Sequence, residues 1–193
     1  MLKQLLKSLW PGHAVESNLP KSELPFTLCR VRRPDGLDGF VDIVTLLPPE
    51  TFAKTGIAHE AIVGYYTKLV AEGEEGERID PATFRPNKAF VDLLHDVIAT
   101  NAPDVPELQS AARQQHTGWL YILDARTPTP AGDVPLRDII GAFEVREDAI
   151  DPNSYWANSD HLLFSSDGIF KLSSTSLQKA LMERLTKATT HRG

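Results

Sequence analysis

The chain has 193 residues, 41% of them hydrophobic and 24% charged, with a formal net charge of −6 and a single cysteine. That length suits one well-buried core, and the composition is that of a folded globular chain and not a disordered one. One thiol excludes an internal disulfide and a cysteine-rich zinc site, and no apolar run approaches the ~20 residues that span a bilayer.

Met1–Trp10 places Leu2, Leu5, Leu6 and Leu9 on one stripe and Lys3 and Lys7 on another before Pro11-Gly12 stops it. This predicts a short amphipathic helix that must dock, either on its own domain or on a membrane surface or second protein. It lacks the long apolar stretch and small-residue cleavage site of a secretory signal, so none is expected. Residues 13–25 are polar, contain two prolines and show no period, which predicts a linker. The expected organisation is therefore an N-terminal helix and linker over 1–25 and a single α+β domain over 26–190.

Phe26–Arg33 and Gly39–Leu47 read as hairpin strands around "PDGLDG". Cys29 falls on the first strand with no adjacent histidine, so a buried, inert thiol is expected. Pro48-Pro49 ends the sheet, and three helices are expected to follow. The first, Ile57–Ala71, repeats apolar residues at intervals of four. The run after it holds Glu74, Glu75 and Glu77, a candidate contact for a basic surface. The second helix is capped by Asn87 and turns Phe90, Val91, Leu94, Val97 and Ile98 inward. Asp92, His95 and Asp96 on its flank supply at most part of a metal shell, so neither metal nor cofactor is expected. Asp104-Val-Pro-Glu107 carries the start signals of the third.

Trp119–Ala125 is apolar on both faces, which predicts an interior strand. Ile139–Val145 supplies another, with Gly141 marking a bulge or a close contact. The Pro-rich connection between them favours an antiparallel pair. The loop Asp151–His161 gathers Asn153, Tyr155, Trp156, Asn158, Asp160 and His161, residue types that suit a contact surface and equally suit a packed turn. Asp160-His161 is the one candidate for acid–base chemistry, with Asp124 or His116 as a partner brought near by folding. Ser165-Ser166-Asp167-Gly168 reads as a hairpin turn. A last helix begins near Ser174 or Thr175 and buries Leu177, Leu181, Met182, Leu185 and Ala188.

Together these elements predict an α+β domain with a largely antiparallel sheet of about five or six strands and helices packed on it. No GxGxxG, P-loop, HExxH or GxSxG pattern occurs. Between Pro34 and Asp167 stand 23 acidic residues against 9 basic ones, a balance of −14, while the flanks carry +8. A negative body disfavours nucleic acid and favours a basic protein partner. The expectation is a cytoplasmic, non-enzymatic acidic binding protein, of which an immunity-type neutraliser of a basic toxin is one instance. The alternatives are a hydrolase or metal-dependent enzyme using the Asp160-His161 region, and an assembly component docking through residues 1–10.

Overall fold

The computed structural model describes residues 26–32, 39–67, 69–72, 76–126 and 134–190. The expected helix at 1–10, the linker, Glu74, Glu75 and the side chain of Glu77 lie outside these. Helices and antiparallel sheets alternate along the chain, in keeping with an α+β class. The strands do not join one sheet of five or six; the chain forms two compact units, each with its own four-stranded sheet.

The first unit holds the described residues up to Val91 and those from Met182 to Thr190. Strands β1 (Thr27–Arg32) and β2 (Phe40–Thr45) make the expected hairpin, with Cys29 opposite Ile43. Cys29 is buried, and burial, helped by Asp42, pushes its thiol pKa up to about 12, so it stays protonated and inert. A short helix α1 (Pro49–Phe52) plugs Phe52 into the core.

The expected helix at Ile57–Ala71 does not form. A 3-10 turn at His59–Ala61 leads instead into β3 (Ile62–Tyr66), followed by the hairpin β4 (Leu69–Glu72) and β5 (Gly76–Ile79). Ile62, Val63 and Gly64 are all buried, and a strand covered on both faces loses the alternation that separates it from a buried helix. Its β-branched and aromatic residues then favour the extended form. Strand β6 (Phe84–Pro86) closes the sheet in the order β1-β2-β3-β6.

Helix α2 (Lys88–Asn101) begins where Asn87 predicts, with the Asn87 Oδ1 accepting from Ala89 N–H, and it buries Phe90, Leu94, Val97 and Ile98. The second unit, Asp92–Leu181, takes in most of this helix. Helix α3 (Pro106–Gln115) is not capped by Asp104; Val105 sits at its N-cap with no side-chain acceptor, and Pro106 supplies the preset first turn. Strand β7 (Gly118–Leu123) pairs antiparallel with β8 (Ile139–Arg146), as the connection suggested. It lies at the edge of its sheet, however, and not in the interior: Trp119 and Tyr121 are 47% and 48% exposed. Large rings with polar tips count as apolar in a pattern and still tolerate water. Strands β9 (Ala149–Ile150) and β10 (Trp156–Ala157) flank β8 on its other side. The hairpin β11 (Phe164–Ser165) and β12 (Gly168–Ile169) follows, then helix α4 (Thr175–Thr190), with Ser174 Oγ at its start and Leu177, Leu181 and Leu185 buried.

The two units repeat one construction. In the first, β2 pairs with β3 with a register shift at Val44/Thr45, and Gly64 of β3 lies under Phe84. In the second, β7 pairs with β8 with a shift at Ile122/Leu123, and Gly141 of β8 lies under Tyr155. Three residues beyond each ring stands an asparagine with one bonding pattern. Asn87 Nδ2 donates to the carbonyls of His59 (2.7 Å) and Ile62 (2.8 Å), and its N–H donates to Val63. Asn158 Nδ2 donates to the carbonyls of Leu136 (2.6 Å) and Ile139 (2.7 Å), and its N–H donates to Ile140. Each amide thus ties a 3-10 turn, the strand it feeds and the return strand. By this register β2, β3 and β6 correspond to β7, β8 and β10.

A methyl group at either glycine has nowhere to go. A Cβ on Gly64 would lie 2.6 Å from the Arg85 carbonyl, and one on Gly141 2.6 Å from the Tyr155 hydroxyl and 2.7 Å from the Trp156 carbonyl. Gly64→Ala and Gly141→Ala are each expected to cost about 1–3 kcal/mol, as overpacking in a tight core does. Urea denaturation checks this; wild-type midpoints for both would refute the close-approach account.

Candidate functional site

The chemistry-bearing side chains of the second unit converge at the end of β7. Asp124 continues that strand through a bridge to Leu172, and its side chain is fully buried. Asp124 Oδ1 accepts from the N–H groups of Arg126 and Lys171, both at 3.0 Å. Asp124 Oδ2 accepts from Arg126 Nη2 at 2.7 Å, Arg126 Nε at 3.0 Å and His161 Nε2 at 3.0 Å. Burial raises the carboxyl pKa, but the bonds from His161, Arg126 and Lys171 outweigh it and leave it below the usual carboxylate value. Arg126 spends its other N–H groups on Ser165 Oγ, on the Gly168 carbonyl and on the Leu162 carbonyl.

This node holds the strand end, the 160s loop and the β11–β12 turn together. His161 is brought to Asp124, one of the two partners the sequence suggested, while its chain neighbour Asp160 stays exposed with its backbone N–H on Asn158 Oδ1. His116, the other suggested partner, bonds Asp148 Oδ1 at 2.5 Å at the end of α3. The Ser165 hydroxyl accepts from Arg126 and from the Asp167 N–H, so it faces a cation and a turn amide and no base. Among the described residues no group of three or more His, Cys, Asp or Glu is placed to hold a metal ion.

A second, half-buried contact links α2 to the 150s loop. Tyr155 points inward, its ring tilted 4.9 Å from Phe143 and its hydroxyl 2.7 Å from His95 Nδ1. Burial raises the Tyr155 pKa, so the phenol stays protonated and can donate. Burial, aided by His161 and opposed by Asp92, lowers the His95 pKa, so the ring is neutral and can accept. Of the metal-flank trio, His95 is therefore engaged in packing.

The remaining loop residues separate. Asn158 is the buried clamp of the unit, Asn153 is exposed with its N–H on Asp151 Oδ1, and Trp156 points outward at 42% exposure. Trp156 sits opposite Ala142, and so does Tyr121 from the other side; Trp119 faces Glu144 one step along. Directly opposite residues share a face, so Tyr121, Ala142 and Trp156 form a row across β7, β8 and β10, with Trp119 beside it. Three exposed aromatic side chains thus occupy one sheet face around a small alanine. Sequence reasoning assigned Trp119 and Tyr121 to the core; the signal for this surface was that both large rings of the strand fall at alternate positions.

Removing Asp124 leaves a buried guanidinium without its counter-charge, so Asp124→Ala is expected to cost about 3–5 kcal/mol in chemical denaturation. A loss under about 1 kcal/mol would show the node to be dispensable. The His95 pKa is lower folded than unfolded, so its contribution is fully present above the ordinary value of 6.5 and is lost as pH falls below it. The urea midpoint of the wild type should therefore drop between about pH 7.5 and pH 5.5, and His95→Gln should flatten that drop. An unchanged slope in the variant would rule this out.

In comparisons with known proteins the chain matches no family model, no curated protein and no solved structure.

Proposed function

We propose that this chain is a non-enzymatic binding protein and that its second unit docks a basic protein partner on the face formed by Trp119, Tyr121 and Trp156. The observation that carries this reading is the row itself. Tryptophan and tyrosine bury large areas at little entropic cost and dominate contact energies, and an isolated domain gains nothing by leaving three of them in water on one face.

Charge supports the sign of the partner. Asp92–Leu181 contains 13 acidic residues against 6 basic ones, a balance of −7 where the whole chain carries −6. Beside the aromatic row, Arg146 bonds Glu144 and Asp151, and Glu147 and Asp148 follow in the adjoining turn. Lysine or arginine side chains of a partner gain from both the acids and the ring faces. Neutralising a basic toxin is one activity this surface suits. A cytoplasmic location accords with a lone, buried, protonated thiol, and no helix among the described residues is long and apolar enough to cross a membrane.

The hydrolase alternative draws support from the 3.0 Å His161–Asp124 contact. The same contact sits in a saturated node whose serine is held by arginine, an arrangement better suited to holding loops than to transferring protons. Capture with cross-linking, using wild type and a Trp119→Ser/Tyr121→Ser/Trp156→Ser variant, tests the binding reading. Basic proteins should be enriched by the wild type, reduced about tenfold or more by the variant, and released between about 50 and 500 mM NaCl. Equal capture by a folded variant would sink the proposal.

A further inference from the structure

Among the described residues, the repeated construction leaves one position filled in the first unit and open in the second. On β2 the outer edge carries β1, with Val41 opposite Val31 and Ile43 opposite Cys29. In the second unit β7 takes the place of β2, the register sets Trp119 and Tyr121 where Val41 and Ile43 stand, and β7 ends the sheet.

The backbone groups on that edge can be followed one by one. On β8, the Glu144 N–H donates to Ser154 Oγ and its carbonyl accepts from Asp151, while the Ile140 carbonyl accepts from Asn158. Even-numbered residues of β8 therefore bond away from β7. Trp119 and Tyr121, opposite Glu144 and Ala142, are non-hydrogen-bonded pairs, so their N–H and C=O groups point off the sheet. The window is bounded on both sides: Thr117 bonds Gln115 through both of its backbone groups, and Ala125 N–H donates to the Lys171 carbonyl. No described residue bonds the backbone of Trp119 or Tyr121. Exposed edges are usually guarded by proline, charge or a bulge; Gly118–Leu123 reads GWLYIL with neither proline nor charge, and its register shift at Ile122/Leu123 lies beyond Tyr121.

We infer that this window accepts an extended, lysine- or arginine-bearing segment of a partner protein, added antiparallel to β7 in the position that β1 holds on β2. The inference rests on the binding reading and specifies its mode. Main-chain bonds to Trp119 and Tyr121 supply the pairing, and the partner side chains opposite them lie on the aromatic face. The corresponding face of the first unit is covered, with Cys29 and Ile43 buried, whereas here the rings await cover. The −7 balance of the unit favours a cationic strand and opposes the same unit of a second copy.

The probe is an end-capped heptapeptide alternating lysine and valine, in three forms: unmodified, N-methylated at the lysines, and N-methylated at the valines. In the free protein, the Trp119 and Tyr121 amides should exchange with deuterium at least about tenfold faster than those of Leu120 and Ile122, which bond β8. The unmodified peptide should bind and slow them. N-methylation at lysine should weaken binding about tenfold or more, and N-methylation at valine should not. Slow exchange at Trp119 in the free chain, or a dimer that protects it, would show the edge already filled and overturn the inference. So would failure of the peptide to bind. If all three forms bind alike but Trp119→Ser/Tyr121→Ser abolishes binding, strand addition is wrong while the docking face stands; if that variant also binds, both readings fail.

Discussion

The constraint on which both units depend is a side-chain amide placed where backbone partners run out. A 3-10 turn entering a strand leaves carbonyls that the ladder does not reach, and buried carbonyls need donors. Asn87 and Asn158 each direct both amide protons to two such carbonyls while the main chain beside them joins the strand. The return strand is thereby fixed in register, which sets the ring three residues earlier on the glycine. Turn, glycine, ring and amide recur together as one device in both sheets.

Around that shared frame the units diverge by what they add. The first inserts the β4–β5 hairpin between its glycine strand and its return strand and lays β1 along the far edge. The second inserts the short β9, anchors its strand end through Asp124, Arg126 and His161, and among the described residues sets no strand outside β7. The buried charge cluster stands at the end of the strand whose edge is open. A strand with no outer neighbour among the described residues is held there by a carboxylate that accepts five hydrogen bonds and by a guanidinium that reaches three separate loop groups.

Much of this frame was legible from residue order. Alternation found β1 and β8, a mostly apolar run found β2, Asn87 announced α2, Asp167-Gly168 announced a hairpin, and Gly141 marked a bulge or close contact. Ile57–Ala71 misled because residues buried on both faces carry no period, leaving Gly64 and the β-branched pair before it as the better guide. Trp119 and Tyr121 misled for the opposite reason: hydrophobicity counts rings as interior even where their edges meet water. Asp124 is one of two partners the sequence offers for His161, but the choice between them, like the Asp124–Lys171 contact, spans a separation (37 and 47 residues) that no local pattern records. The recurrence itself was hidden because the return strands differ in distance from their glycines and share little beyond an aromatic residue and an asparagine.

The two clamping amides also make the fold sensitive to chemical ageing. Hydrolysis of an asparagine side chain to aspartate replaces two protons with a second acceptor oxygen, and at Asn87 or Asn158 that oxygen would confront two main-chain carbonyls. Attack on a side-chain amide by the following backbone nitrogen needs local freedom that a clamped, buried loop does not offer. The geometry that makes deamidation ruinous at these positions is thus the same geometry that slows it.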